Sequence, residues 1–262
     1  MLGGGNLTRV VRIGSTVRRT AGAWTPMVHE LLDHLRGTDF DLAPEALGID
    51  EQGREVLSYL PGDTVADRPW PRWLWHDDLL VQAAEALARY HRAVAGYRPA
   101  VVSSRLGTTV LGAGDVVCHN DFAPYNCTFS AGRLTGVFDW DLVCAAPPLH
   151  DLAQLVWQWL PLHAPCEELA WRTPEGTARR LRLLLHAYGT DDTCRLDDAG
   201  RFVEAVIDRV EATRTGILQR AADGEEVFRR LEREGHTEDM ARAVDFIRSI
   251  RPTLEGAVLR PR

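Results

Sequence analysis

Between Val116 and Asp141 the chain sets several chemistry-bearing side chains at fixed spacing around short apolar strands. Val116-Val117-Cys118 predicts a strand that opens into the loop His119-Asn120-Asp121-Phe122-Ala123-Pro124-Tyr125-Asn126. A second run, Leu134–Phe138, predicts a strand ending in Asp139-Trp140-Asp141. Asp121, Asn126 and Asp139 thus stand at strand ends. Hard divalent cations such as Mg²⁺ select carboxylate and amide oxygens of this kind. Phosphoryl transfer uses such a cation, together with a carboxylate that orients or deprotonates the attacking hydroxyl. One such Asp or Asn could simply cap a turn. The whole set at this spacing points to chemistry.

Around this segment the chain changes character. Thr8–Ile13 and Thr16–Arg19 flank Gly14-Ser15 and predict a hairpin with a glycine-first turn. Thr25-Pro26 predicts a helix start with Thr25 as cap, Val28, Leu31, Leu32 and Leu35 its apolar stripe, and Gly37 its end. Leu47–Asp50 and Glu55–Leu60 predict two more strands. Pro61-Gly62-Asp63 marks a boundary, and a stretch with Trp70, Trp73 and Trp75 follows, its aromatics expected to pack between elements. A helix begins at Asp77 or Asp78, and three short β segments fill 115–138. Further helices are expected near 149–160, 175–188, 198–221, 224–234 and 237–250. The plan is α+β: a small β-rich N-terminal part and a larger, mostly helical C-terminal part.

The central segment resembles the catalytic core of the aminoglycoside phosphotransferase and choline kinase family, relatives of the protein kinases. The family pattern is H-x-D-x-x-x-x-N, then an Asp about eighteen residues beyond the first, followed by an aromatic. His119, Asp121 and Asn126 match the first part, Asp139-Trp140-Asp141 the second, and Asp151-Leu152-Ala153 the D-L-A that follows. The resemblance covers roughly residues 3–160. It implies a two-lobed protein-kinase-like fold, with a nucleotide-binding lobe over 1–62 and a catalytic and acceptor-binding lobe over 63–262. It further implies Asp121 as catalytic base, Asn126 and Asp139 as Mg²⁺ ligands, and His119, Asp141 and Asp151 as supporting residues. The expected cofactors are ATP (or GTP) and Mg²⁺, and the expected partner is a small molecule bearing a hydroxyl.

The same resemblance sets requirements on the N-terminal part. Gly4 and Gly5 lie where a glycine loop would approach phosphates through its backbone amides, although the family's usual first strand is missing or very short. The family's phosphate-binding lysine has no counterpart, because all thirty basic residues are Arg. A turn at Gly14-Ser15 puts Val11, Ile13, Thr16 and Arg18 on one face. In the resembled fold a valine of the second strand and the phosphate-binding cation both face the nucleotide, which implies Arg18 rather than Arg19 as that cation, Arg gripping phosphate bidentately. Glu30 is its expected partner on the following helix, in preference to the adjacent His29. Ser58, Tyr59 and Leu60 are expected to line the adenine edge.

Composition narrows the alternatives. Without Lys, neither a Walker-A loop nor a lysine Schiff base is possible. A net charge of -7 offers no basic excess for nucleic acid. No apolar run is long enough for a membrane span, no secretory signal is visible, and a cytoplasmic protein is expected. The oligomeric state is left open. Five cysteines without C-x-x-C spacing support neither a zinc site nor a disulfide framework. Glu204, Asp208, Glu211, Asp223, Glu225 and Glu226 either attract a cationic acceptor or form solvated helix faces. Two other functions compete with the kinase. One is a catalytically weak or inactive kinase-like binding or immunity protein that sequesters a toxin or metabolite, as the missing lysine and clipped first strand suggest. The other is a metallohydrolase built on His119, Asp121, Asp139, Asp141, His150 and Asp151.

Overall fold

A computed structural model describes residues 10–66, 68–163, 165–189 and 198–259. The chain divides into two compact units, one ending at Asp151 and the other starting at Leu152. Proline and glycine at 61–62 turn the chain, yet Asp63 and Phe129 exchange backbone hydrogen bonds of 2.7 and 2.8 Å. Gly62 sits at φ +136°, and a Cβ there would lie 2.7 Å from the Phe129 carbonyl oxygen, so the close approach requires glycine. Both sides of the turn belong to the first unit.

That unit opens on a four-stranded antiparallel sheet. Strands β1 (Val11–Ile13), β2 (Thr16–Thr20), β3 (Ala46–Ile49) and β4 (Arg54–Ser58) lie in the order β1-β2-β4-β3. The hairpin register is the expected one, with Val11 opposite Arg18 and Ile13 opposite Thr16. Helix α1 (Thr25–Arg36) buries Val28, Leu31, Leu32 and Leu35. Its cap position is Trp24 rather than Thr25, whose hydroxyl instead accepts from the Gly22 amide at 2.9 Å. Helix α2 (Asp77–Val94) carries Asp77 and Asp78 in its first turn, where they complement the helix dipole. Trp70 packs on Trp75, and Trp73 on Phe129, as expected for the tryptophan-rich stretch.

Three antiparallel pairs complete the unit: β5 (Val102–Ser104) with β6 (Gly107–Thr109), β8 (Cys127–Ser130) with β9 (Arg133–Val137), and β7 (Val116–Cys118) with β10 (Cys144–Ala146). Strands β5, β6 and β10 have only three residues each, too few to leave a readable alternation.

Helix α3 (Pro148–Trp159) spans the division. The second unit is helical: α4 (Pro174–Tyr188), α5 (Ala199–Ala222), α6 (Glu226–Arg233), α7 (His236–Ser249) and α8 (Arg251–Val258). Within it α5 packs against α6, α7 and α8, and α4 against α8. Glu204, Glu211, Glu225 and Glu226 pair with Arg251, Arg248, Arg220 and Arg233 at 2.6–2.8 Å. These acids serve as paired helix faces. Among the described residues, no helix is long and apolar enough to cross a membrane.

Candidate active site

The loop after β7 is held open by one carboxylate. Asp151, fully buried on α3, accepts the backbone N–H of His119 and of Asn120, each at 2.7 Å. His91 of α2 donates from Nε2 to the same carboxylate at 3.2 Å. Burial alone would raise the Asp151 pKa, but the hydrogen bond and charge of His91 lead the effects that outweigh it and hold it at about 2. Asn120 takes a left-handed backbone, φ 66°, which Asn tolerates better than most residues. Its amide donates to Leu142 O at 2.8 Å, and its oxygen meets His150 Nε2 at 2.8 Å. Asn120 and His91 were not singled out as site residues from sequence; the readable signal was Asn at a strand-to-loop reversal.

Removing the Asp151 carboxylate strands two buried amides. Asp151→Ala is expected to cost about 2–5 kcal/mol by chemical denaturation at pH 7. The folded pKa of about 2 lies below the unfolded 3.8. The Asp151 contribution is therefore complete above about pH 4 and lost as pH falls through about 2. Denaturation midpoints of Asp151→Asn are expected to fall less steeply than wild type over that window; parallel slopes would contradict it.

Within the loop, the turn Pro124–Asn126 brings Asn126 back under Asp121. Asn126 Nδ2 donates to Asp121 Oδ2 at 2.9 Å and to the Asp121 carbonyl at 3.0 Å. Its amide nitrogen being spent this way, Oδ1 is the atom left for a cation. Asp121 Oδ1 accepts from the Tyr125 hydroxyl at 2.7 Å. The Phe138 amide donates to Asn126 O at 2.9 Å, joining the two motif segments, and Asp139 follows in a left-handed conformation, φ 64°. His119 is buried between them: its Nδ1 accepts the Asp121 amide and its Nε2 meets Phe138 O, both at 3.2 Å. Burial lowers the His119 pKa, favouring the neutral ring that this pairing needs.

Asp139 and Asp141 bind the sheet through Arg19. Its Nη1 donates to Asp139 Oδ1 at 3.2 Å, its Nη2 to Asp141 Oδ1 at 2.6 Å, and its Nε to Glu55 of β4. Burial tends to lower the guanidinium pKa, but Asp141, Glu55 and Asp139 raise it above its ordinary value. Arg18, the expected cation, is not brought to these carboxylates. Arg18 pairs with Asp50 at 3.5 Å and donates to Thr16. The hairpin register is the expected one, and β2 pairs with β4 so that Arg19 lies opposite Glu55. Helix α1 covers that face through His29, whose Nε2 lies 3.1 Å from Glu55 Oε1. Glu30 instead accepts the Tyr97 hydroxyl at 2.9 Å. His29 and Glu55 replace the expected Arg18–Glu30 pair.

The charge balance of this cluster favours a cation. Burial pushes the Asp139 pKa up, and so do the charges of Asp141 and Asp121, against Arg19 and Arg105. Burial likewise raises Asp141. Three carboxylates, Glu55, Asp139 and Asp141, thus share one buried arginine, with the Asp121 charge also bearing on Asp139. A hard divalent cation fits the surplus negative charge and the oxygen donors. The metallohydrolase set fits less well, since His119, His150 and Asp151 are engaged in the loop contacts above. His91, Cys118 and Asp151 lie close enough to share a metal. The Asp151 oxygens, however, already carry two amides, and the Cys118 thiol donates to Ala146 O and Pro147 O.

Of the expected nucleotide-side residues, Gly4 and Gly5 lie outside the described residues. The Ser58 and Tyr59 amides donate to Glu45 O and Ser15 O at 3.0 and 2.9 Å, extending the sheet. Arg12 stacks on the Tyr59 ring, 3.6 Å from its centroid. Leu60 packs against Gly136.

Three comparisons bear on this geometry. The profile of the Phosphotransferase enzyme family (APH) matches residues 104–191, which include the whole loop system. A trifolitoxin immunity protein of Rhizobium leguminosarum bv. trifolii is 32% identical over 215 residues, covering 79% of this chain and 78% of that protein. A choline/ethanolamine kinase family protein from Mesorhizobium loti superposes with a TM-score of 0.55 at 19% identity, over 94% of this chain and 91% of that one. An amicoumacin kinase in complex with AMP-PNP, Ca²⁺ and Ami does so with a TM-score of 0.57 at 14% identity, over 94% and 88%. The likeness thus runs well past residue 160, where the sequence offered no motif. On a protein-kinase-like α+β fold, and with the family profile resting on the segment that carries Asp121, Asn126 and Asp139, the chain belongs to the phosphotransferase enzyme family.

Proposed function

We propose that the chain is an ATP- and Mg²⁺-dependent phosphotransferase that acts on a hydroxyl of a small molecule. The observation that carries this reading is the convergence of Asp121, Asn126 and Asp139, with Arg19 bound to Asp139. Asp121 accepts the proton of the attacking hydroxyl at its carboxylate. Asn126 Oδ1 and Asp139 hold the cation, which when bound neutralises charge on the transferring phosphoryl group. Arg19 supplies the fixed cation that the family's lysine otherwise provides. Asp151 and His119 keep the loop in shape. The amicoumacin kinase complex, with its nucleotide analogue and divalent ion, supports the choice of cofactors. The acceptor is a small hydroxyl compound such as an antibiotic, an amino alcohol or a sugar.

A second reading has its own observation. The trifolitoxin immunity protein at 32% identity supports a chain that protects by binding a toxin. The two readings part on nucleotide. Under the phosphotransferase reading, ATP raises the melting temperature in the presence of Mg²⁺, because a ligand bound only by the native state stabilises it; at a hundredfold over Kd the gain is about 2.7 kcal/mol. Asn126→Ala and Asp139→Ala are expected to abolish the Mg²⁺-dependent part of that shift. A wild-type melt indifferent to ATP and Mg²⁺ would favour binding alone.

A further inference from the structure

The two oxygens of the Asp121 carboxylate face different neighbours. Oδ2 takes the Asn126 amide, on the side that leads through Phe138 to Asp139. Oδ1 takes the Tyr125 hydroxyl at 2.7 Å. A general base must lie about 2.6–3.2 Å from the hydroxyl whose proton it accepts. Tyr125 therefore meets, from within the chain, the distance requirement that an acceptor hydroxyl meets. Its ring is half-buried and packs against Trp70, centroids 6.1 Å apart, and Trp70 packs on Trp75. The phenol is thus held by its ring as well as by its hydrogen bond.

We propose that Tyr125 is a positioning residue whose hydroxyl stands in for the acceptor hydroxyl on Asp121 Oδ1 and keeps water from that place until acceptor arrives. The inference rests on the phosphotransferase reading and deepens it. When Tyr125 is in place, its hydroxyl holds the position on Oδ1 that an attacking water would take. An arriving acceptor displaces the phenol by offering an equivalent hydrogen bond. Without the phenol oxygen, water takes the seat: its oxygen bonds to the γ-phosphorus, the bond from that phosphorus to the β–γ bridging oxygen breaks, Asp121 receives the proton, and ADP leaves with inorganic phosphate released.

The test is Tyr125→Phe, which keeps the ring and removes the hydroxyl. Its measurement needs no acceptor: the rate of phosphate release from Mg-ATP, with nucleotide affinity and melting temperature recorded alongside. Hydrolysis is expected to rise on the order of tenfold, less than the ~10²–10⁴ that a fully positioned base supplies, with ATP affinity unchanged. Damage to the loop would lower the rate, so a rise cannot come from misfolding. Phosphate found on Tyr125 itself in wild-type protein would also support the proposal, since only a hydroxyl in the acceptor's place becomes the nucleophile. A Tyr125→Phe protein that binds ATP and hydrolyses it no faster than wild type overturns the proposal alone. A wild-type protein that neither binds nor turns over nucleotide overturns the phosphotransferase reading, and the proposal with it.

Discussion

Arg19→Ala is expected to destabilise the protein by about 3–5 kcal/mol, whereas Arg18→Ala should cost about 0–1 kcal/mol. The two arginines are neighbours on one strand and differ only in the face they present. Arg19 is 7% exposed and binds carboxylates from two separate segments, Glu55 on one and Asp139 and Asp141 on the other. Glu55 and Asp141 are themselves buried, so losing the guanidinium leaves charge without a partner in a poorly solvated place. Arg18 shares a more exposed pair with Asp50, of the kind that contributes little. Arg19→Lys separates charge from shape. It keeps one positive charge but cannot reach three carboxylates with a planar fork, so it should recover part of the stability and bind ATP more weakly than wild type. Denaturation midpoints of the three variants, with ATP affinity of Arg19→Lys, check this. An Arg18→Ala loss larger than that of Arg19→Ala would contradict the placement of the cation.

The same strand illustrates what sequence could and could not convey. Alternation divided β2 into two faces, and the Gly14-Ser15 turn set the register correctly. Neither says which face the following helix covers. The resembled fold turns a valine and the phosphate cation toward the nucleotide and so implies the Arg18 face, yet Ile13 on that face is 49% exposed. The deciding fact is the pairing of β2 with β4, which aligns Arg19 with Glu55 across a sequence gap that no local pattern spans. The choice between His29 and Glu30 is open to the local sequence for a similar reason, since adjacent helical positions differ by about 100° in direction. The loop residues were easier to read. Asp121, Asn126 and Asp139 lie within one strand–loop–strand segment, where short spacing alone constrains position. The Asp63–Phe129 bridge, by contrast, joins distant segments that no local pattern such as Pro61-Gly62 connects.

Asp121→Asn is expected to lower phosphoryl transfer by about 10²–10⁴-fold, the range a positioned general base supplies. The change removes a charge and a proton acceptor while keeping the side chain's size. Asn126 and Tyr125 both hydrogen-bond this group, so their own positions should relax slightly without unfolding the loop, which Asp151 holds from the other side. Binding of nucleotide should survive, because Arg19 and Asp139 are untouched and Asn126 keeps its bond to the Asp121 carbonyl. The loss therefore belongs in turnover rather than in affinity, and that split separates a catalytic carboxylate from a merely structural one.

The most direct measurement is transfer of labelled γ-phosphate from ATP, with and without Mg²⁺, to a panel of antibiotics, amino alcohols and sugars, using wild-type protein and Asp121→Asn side by side. The expected result is Mg²⁺-dependent labelling of at least one hydroxyl compound by wild type, reduced at least a hundredfold in Asp121→Asn. Equal labelling by the two proteins would contradict the role of Asp121. Nucleotide binding with no transfer or hydrolysis in wild type would contradict the phosphotransferase and leave a kinase-like binding protein in its place.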